Sequence, residues 1–121
     1  MVSIIESGTV DLLKLALDAS AMRQQATARN IANAGTPGYQ RLGVSFESRL
    51  GELREALQQG RRPAMTAAAR PQFETLGLPG DMVALDQEMA ALSENTLHHQ
   101  ALLKALSRHM SVLGIAVEGR R

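Results

Sequence analysis

The sequence predicts an all-α protein, with two long terminal helices paired as a coiled-coil hairpin and with a short helix and an irregular loop inserted between them. Three observations predict this fold. Apolar residues recur at helical spacing near both ends of the 121-residue chain. The aromatic residues are one Tyr and two Phe, and the apolar set is mainly Ala, Leu and Met, which favours packed helices over a sheet. Glycine and proline gather between residues 60 and 80, between the two periodic segments.

The first helix is predicted to begin near Ser7 or Thr9, either of which suits an N-cap, and to run to about Asn33. Its apolar residues form two stripes. The first consists of Leu12, Leu15, Ala19, Met22 and Ala26, and the second of Val10, Leu13, Leu17, Ala21 and Ala28. One core face needs only one stripe, so two stripes predict burial on two sides, by a partner helix and by neighbouring molecules.

A turn is predicted directly after this helix. Gly35 can adopt the left-handed conformation that ends many helices, and Pro37 disfavours helical angles at Thr36. Pro37 and Gly38 suit the centre of a type II turn, in which Gly38 takes a positive φ. Tyr39 follows, where its ring can hold the turn against the helix.

Asn30 and Asn33 lie three residues apart on one face of the first helix. Asn is a poor interior helix former, and a buried amide must find hydrogen-bond partners. We therefore expect these two side chains to fix register rather than to perform chemistry.

The middle of the chain is predicted to hold one short amphipathic helix, from about Ser45 to about Gly60, followed by a linker or loop over residues 60–80. We expect two parts in the chain. Residues 1–40 and 81–121 form a discontinuous helical coiled-coil domain, and residues 41–80 form an insert.

The last segment has an unbroken repeat of 3.5 residues, which is typical of a coiled-coil seam and predicts a helix about 50 Å long. A helix of that length needs a long partner, and the first helix is the candidate. Polar residues interrupt the seam at two positions, where they would fix register. The seam consists of Leu85, Met89, Leu92, Thr96, His99, Leu103, Leu106, Met110, Leu113 and Val117.

The sequence predicts no catalytic, cofactor-binding or metal site. His98 and His99 are adjacent and point to different helix faces, and His109 lies about three turns away, so they lack the spacing of a helical zinc pair. The 13 basic and 12 acidic residues argue against bulk binding of nucleic acid. No apolar run approaches the ~18 residues of a membrane span, and the N-terminus lacks the basic region of a cleaved signal peptide.

Two segments resemble the bacterial flagellar axial proteins, which build the rod, hook and hook–filament junction. The family's N-terminal signature is met by Asn30, Ile31, Ala32, Asn33, Thr36, Pro37, Gly38 and Tyr39. A C-terminal motif resembles Val83–Met89 followed by Asn95, with Ala84 in place of the usual acid and His99 in place of the usual aromatic residue. The resemblance covers about two-thirds of the chain, and the short length is most similar to the proximal rod members.

The resemblance implies a structural protein without cofactors or small-molecule substrates. It implies helical self-association through the terminal helices, as part of the transmission shaft and export channel that motility requires. The partners would be other rod proteins, the MS-ring–rod junction protein and the flagellar type III export apparatus, at the basal body across the periplasm. Two alternatives remain: another proximal rod protein of this family, or a cytoplasmic helical adaptor or chaperone of flagellar export.

Overall fold

The structure is a computed structural model that describes residues 2–60 and 70–119. It contains helices α1 (Val2–Ala32), α2 (Glu47–Gln58) and α3 (Leu85–Glu118), and strands β1 (Leu42–Ser45) and β2 (Gln72–Thr75). Helices α1 and α3 pack side by side and antiparallel, because Ser20 meets Asn95 while Asn30 meets Glu88. The predicted all-α fold with a hairpin of two long helices is confirmed.

The first helix starts earlier than predicted. Helix α1 begins at Val2, so Ser7 and Thr9 lie inside the helix and not at its N-terminus. Residues 2–6 contain no Gly or Pro, so nothing in the sequence stops the helix from extending in front of the predicted caps.

The predicted short helix is also confirmed, as α2. The sequence analysis did not predict the two-stranded antiparallel ribbon, in which Leu42 lies opposite Thr75 and Ser45 opposite Gln72. Strand β2 falls within the segment interpreted as a loop, and residues 61–69 of that segment lie outside the described part of the chain. Each strand has four residues and its partner is distant in sequence, so periodicity gave no signal.

The buried apolar core lies between α1 and the insert. Among the described residues, it consists of Leu15, Ala19 and Ala26 from α1, with Val44, Phe46 and Leu53 from β1 and its continuation into α2. Leu12 and Met22 pack partly buried against it. The insert therefore covers the first predicted stripe of α1, and α3 contributes no side chain to this cluster.

Candidate functional site: a polar junction between the two terminal segments

Asn30 is the centre of a buried polar junction. It lies in the last turn of α1 and is 1% exposed. Its Nδ2 donates to the carbonyl oxygen of Leu42 at 2.9 Å and to Glu88 Oε2 at 3.2 Å. Its Oδ1 accepts from the hydroxyl of Tyr39 at 2.7 Å and from the backbone N–H of Leu42 at 2.8 Å. Both donors and both lone pairs of the amide are thus used.

These four bonds join three different segments. The amide of Asn30 pairs with both backbone groups of Leu42, as a neighbouring strand would, and so fixes the first residue of β1. The bond from Tyr39 fixes the end of the turn, and the bond to Glu88 fixes the first turns of α3. One side chain therefore sets the relative positions of the turn, the ribbon and the last helix.

Glu88 is the buried acid of the junction. It is 2% exposed, and Arg41 Nε donates to its Oε1 as a salt bridge. The Arg41 side chain is 47% exposed, so its guanidinium remains partly in water. A buried carboxylate needs such partners, because an unpaired charge in the interior costs several kcal/mol, on the order of 3–5. The pair fastens α3 to the residues that follow the turn.

The remaining signature residues build the turn. Asn33 Nδ2 donates to the carbonyl of Arg29 at 2.9 Å, and Thr36 Oγ1 donates to Asn33 Oδ1 at 3.2 Å. The Tyr39 N–H donates to the carbonyl of Thr36 at 3.2 Å, with Gly38 at φ 74° between them. These are the bond and the positive φ of a type II turn, for which Gly38 is needed. Pro37 is exposed at its centre, and Ile31 and Ala32 precede the turn at the end of α1.

The prediction for Gly35 is wrong. Positive φ values among the described glycines occur at Gly38 and at three later positions, and not at Gly35. The chain leaves α1 instead through bonds from the N–H groups of Ala34 to Ile31 and of Thr36 to Asn33. Because the carbonyls of Arg29 and Ile31 already accept the N–H groups of Asn33 and Ala34, these end groups are paired without a left-handed residue.

A second polar cluster lies halfway along the hairpin. Asn95 Nδ2 donates to the carbonyl of Ser20 at 2.9 Å and to Gln24 Oε1 at 2.8 Å, and Gln24 Nε2 donates to Thr96 Oγ1 at 3.2 Å. His99 Nδ1 lies 3.1 Å from Ser20 Oγ. Directional bonds of this kind specify one register between two helices, which apolar contacts alone do weakly.

Several proteins similar in sequence to this chain are named flagellar basal body rod protein FlgB. It is 33% identical to the flagellar basal body rod protein FlgB of Escherichia coli K12 over 114 residues, which cover 76% of this chain and 80% of the relative. The FlgB proteins of Salmonella typhimurium and Bacillus subtilis are 30% and 27% identical, over 86% and 93% of this chain and 88% and 95% of their own. The chain belongs to the FlgB family. No general family model matches it.

In this FlgB-family chain, the structure divides the predicted seam of α3 into two lines. His99 faces α1, and Leu92, Leu106 and Leu113 lie half-buried at intervals of seven residues on the same line. The other line is exposed and consists of Met89, Thr96, Leu103 and Met110, and Leu85 is exposed at the start of the helix. The side chain of Val117 lies outside the described ones. The positions that complete the contact with α1 include Glu88 and Asn95, which are polar.

Sequence reasoning missed several residues of the junction. Glu88 lies inside the C-terminal motif that resembles the flagellar axial proteins, but the motif did not predict that this side chain is the buried partner of Asn30. Arg41 and Leu42 carry no local signal, because they act only when the turn brings them beside α1. In the described part of the chain, no helix is long and apolar enough to cross a membrane, and no cluster of His, Cys, Asp and Glu suits a metal ion.

The raised pKa of Tyr39 predicts that the folded chain loses stability at alkaline pH. Burial raises its pKa, the positive charge of Arg29 lowers it and the charge of Glu88 raises it, with a net upward shift. The stability that the protonated Tyr39 hydroxyl contributes is therefore fully present below about pH 10, and it is lost as the pH rises through the folded-state pKa of this group. The chain has one tyrosine, so the ultraviolet absorbance of tyrosinate reports this group alone. We expect a higher titration midpoint in the folded chain than in urea, and equal midpoints would contradict the assignment.

Proposed function

We propose that this chain is a structural subunit of the flagellar proximal rod and that it assembles helically through α1 and α3. In this role it forms part of the transmission shaft and of the export channel, and motility requires it. Membership of the FlgB family supports the proposal that the chain is a rod subunit. The observation that supports assembly through the terminal helices is an apolar line on α3 that the folded chain leaves in water.

This line, here called the outer stripe, consists of Met89, Leu103 and Met110, which are 55%, 48% and 53% exposed. The intervals of fourteen and seven residues place all three on one side of α3, next to the line that faces α1. A row of half-exposed large apolar side chains marks an interaction surface, since burial is worth about 25 cal/mol per Å² of apolar area. A contact of this kind that repeats without closing a ring produces a helical tube.

A groove of about 510 Å³, with no Asp, Glu, Lys or Arg in its lining, adjoins the outer stripe. Its walls come from both terminal helices, and its lining residues are Ala21, Gln24, Gln25, Thr96, His99, Gln100 and Leu103. Small and amide side chains allow another helix to approach closely without burying an unpaired charge. The second predicted stripe of α1 reaches this groove at Ala21, outside the cluster that the described part of the insert covers.

The proposed division of labour follows from these surfaces. Residues 1–40 and 81–121 form the assembling domain, and residues 41–80 form an insert that supports α1. The proposed neighbours are further copies of this chain, other rod proteins and the MS-ring–rod junction protein. The flagellar type III export apparatus would deliver the chain to the basal body. The proposal involves no enzyme activity, cofactor or nucleic acid.

Serine substitutions in the outer stripe test whether this surface is needed for assembly. We expect M89S/L103S/M110S to leave the helix content of the purified chain unchanged, because exposed positions affect stability little, by roughly 0.5 kcal/mol each. The same variant should be lost from isolated basal bodies and should not restore swimming to a strain that lacks the native chain.

The matched control is L97S, on the same helix at 69% exposure but outside the outer stripe, and it should incorporate normally. Normal incorporation of the triple variant would contradict the assembly surface. Finding the native chain only in the cytosol would contradict the rod role itself and favour an export adaptor.

A further inference from the structure

Three of the methionines that the structure describes are open to solvent. Met82, Met89 and Met110 are 88%, 55% and 53% exposed, whereas Met22 packs partly buried against the core. The chain has six methionines and neither cysteine nor tryptophan. Peroxides oxidise exposed sulfur, and because this chain has no thiol, its thioethers are the sulfur groups that react. The exposed methionines are therefore the oxidation-sensitive side chains of the described surface.

Two of these methionines stand at the ends of the outer stripe. Met89 and Met110 are separated by three heptads of α3, which is about 32 Å at 1.5 Å per residue. Between them, Thr96 and Leu103 line the groove that α3 shares with α1. The two methionines therefore bracket the groove of the proposed assembly surface, one heptad beyond it at either end.

Oxidation changes such a side chain from apolar to polar. A lone pair on the sulfur attacks one oxygen of hydrogen peroxide, so an S–O bond forms and the O–O bond breaks. The sulfur loses two electrons. The other peroxide oxygen takes up the proton of the transferred oxygen and leaves as water. The product, methionine sulfoxide, is polar and chiral, and it disrupts contacts that are made through methionine.

Oxidation would remove most of the apolar character of the outer stripe. Two of its three residues are methionine, so Leu103 is the one apolar member that peroxide leaves unchanged. A sulfoxide oxygen that is buried in a contact without a hydrogen-bond donor costs free energy. Since Met89 and Met110 are both half-exposed in the folded chain, their oxidation alters the surface of α3 without disturbing the core.

We propose that Met89 and Met110 form a reversible oxidation switch for assembly. Hydrogen peroxide converts both to sulfoxides, and the oxidised subunit does not join the rod. The inference rests on the proposed function, because it places the switch on the surface through which α3 meets its neighbours. Methionine sulfoxide reductases restore the thioether, so an oxidised subunit can be repaired. Docking buries the outer stripe, so the switch acts on chains that have not yet assembled.

Oxidation rates in the purified chain test which methionines peroxide reaches. The full-length chain is treated with hydrogen peroxide, quenched at intervals, digested and analysed by mass spectrometry. We expect Met82, Met89 and Met110 to react roughly threefold or more faster than Met22, with the circular dichroism spectrum unchanged while they are converted. If Met22 reacts as fast as Met89 and Met110, the proposal is overturned.

A competition in cells without sulfoxide reductases tests the effect on assembly. The native chain and M89L/M110L, with different tags, are produced together in a swimming strain with and without hydrogen peroxide. We expect peroxide to lower the native share in isolated basal bodies by roughly threefold or more. Because only the change caused by peroxide is measured, within one population of rods, damage to other components and any direct effect of leucine cancel. The matched control is M82L, which should compete with the native chain equally well with and without peroxide.

The native chain by itself gives a test without any substitution. In the peroxide-treated cells, sulfoxide at Met89 and Met110 should be roughly fivefold or more rarer in basal bodies than in the unassembled pool. Sulfoxide at Met82, which lies outside the outer stripe, should be equally frequent in both.

The outcomes separate the switch from the rod role. If Met89 and Met110 carry sulfoxide equally often in basal bodies and in the unassembled pool, the switch is wrong and the rod role stands. If peroxide favours M82L as strongly as M89L/M110L, oxidation acts at another surface and the assignment to the outer stripe is overturned. If no form of the chain reaches basal bodies, even without peroxide, the rod role fails and the switch fails with it.

Discussion

Replacing Asn30 by Ala is expected to lower the free energy of unfolding by about 3 kcal/mol or more. The amide is 1% exposed and serves four partners, so its loss leaves both backbone groups of Leu42, the Tyr39 hydroxyl and Glu88 short of a bond. A buried polar group without its partner costs about 1–3 kcal/mol, and the half-buried groups recover part of this from water. Urea unfolding followed by circular dichroism measures the change.

The matched control is N33A, three residues later on the same helix. Asn33 is more exposed and makes two local bonds, to Arg29 and Thr36, so we expect a loss below about 1 kcal/mol. In an N30A background, removing Glu88 should cost less than it does in the native chain, since the two side chains share one network. Equal effects of N30A and N33A would show that the junction does not hold the fold together.

Replacing Pro37 and Gly38 together by Ala is expected to abolish swimming while expression persists. Ala at position 37 restores a backbone N–H and lets Thr36 return to helical angles. Ala at position 38 opposes the φ of 74° that the turn requires, at a cost of about 1 kcal/mol or more. If α1 extends beyond Ala32, Tyr39 and Leu42 can no longer reach Asn30. Swimming in soft agar and immunoblotting of cells measure the two results.

The same turn offers a matched control. Gly35 lies outside the positive-φ region, and a Cβ at this position would meet no atom within 4 Å. G35A should therefore support normal swimming. Normal swimming by the double variant would show that the turn is dispensable, whereas failure of G35A would show that any change in this segment is harmful.

Local patterns determined the helices. The periodic segments predicted α1 and α3, the residues after Ser45 predicted α2, and Pro37 with Gly38 predicted the turn, because each depends on neighbours within a few positions. The two terminal motifs determined the family resemblance, because each is a short run of specified residues. The start of α1 was misplaced because Ser7 and Thr9 are acceptable both as caps and inside a helix.

The tertiary structure decided which face of α3 contacts α1 and which face stays exposed. A 3.5-residue repeat shows that apolar residues share one side of α3, but not which line meets α1. The fold chose the line through His99, with polar contacts from Glu88 and Asn95, and left Met89, Leu103 and Met110 in water. The ribbon and the bond between Asn30 and Glu88 join residues far apart in sequence, so they exist only after the chain folds back on itself. Local sequence sets which segments form helices, and long-range packing sets what each face of a helix contacts.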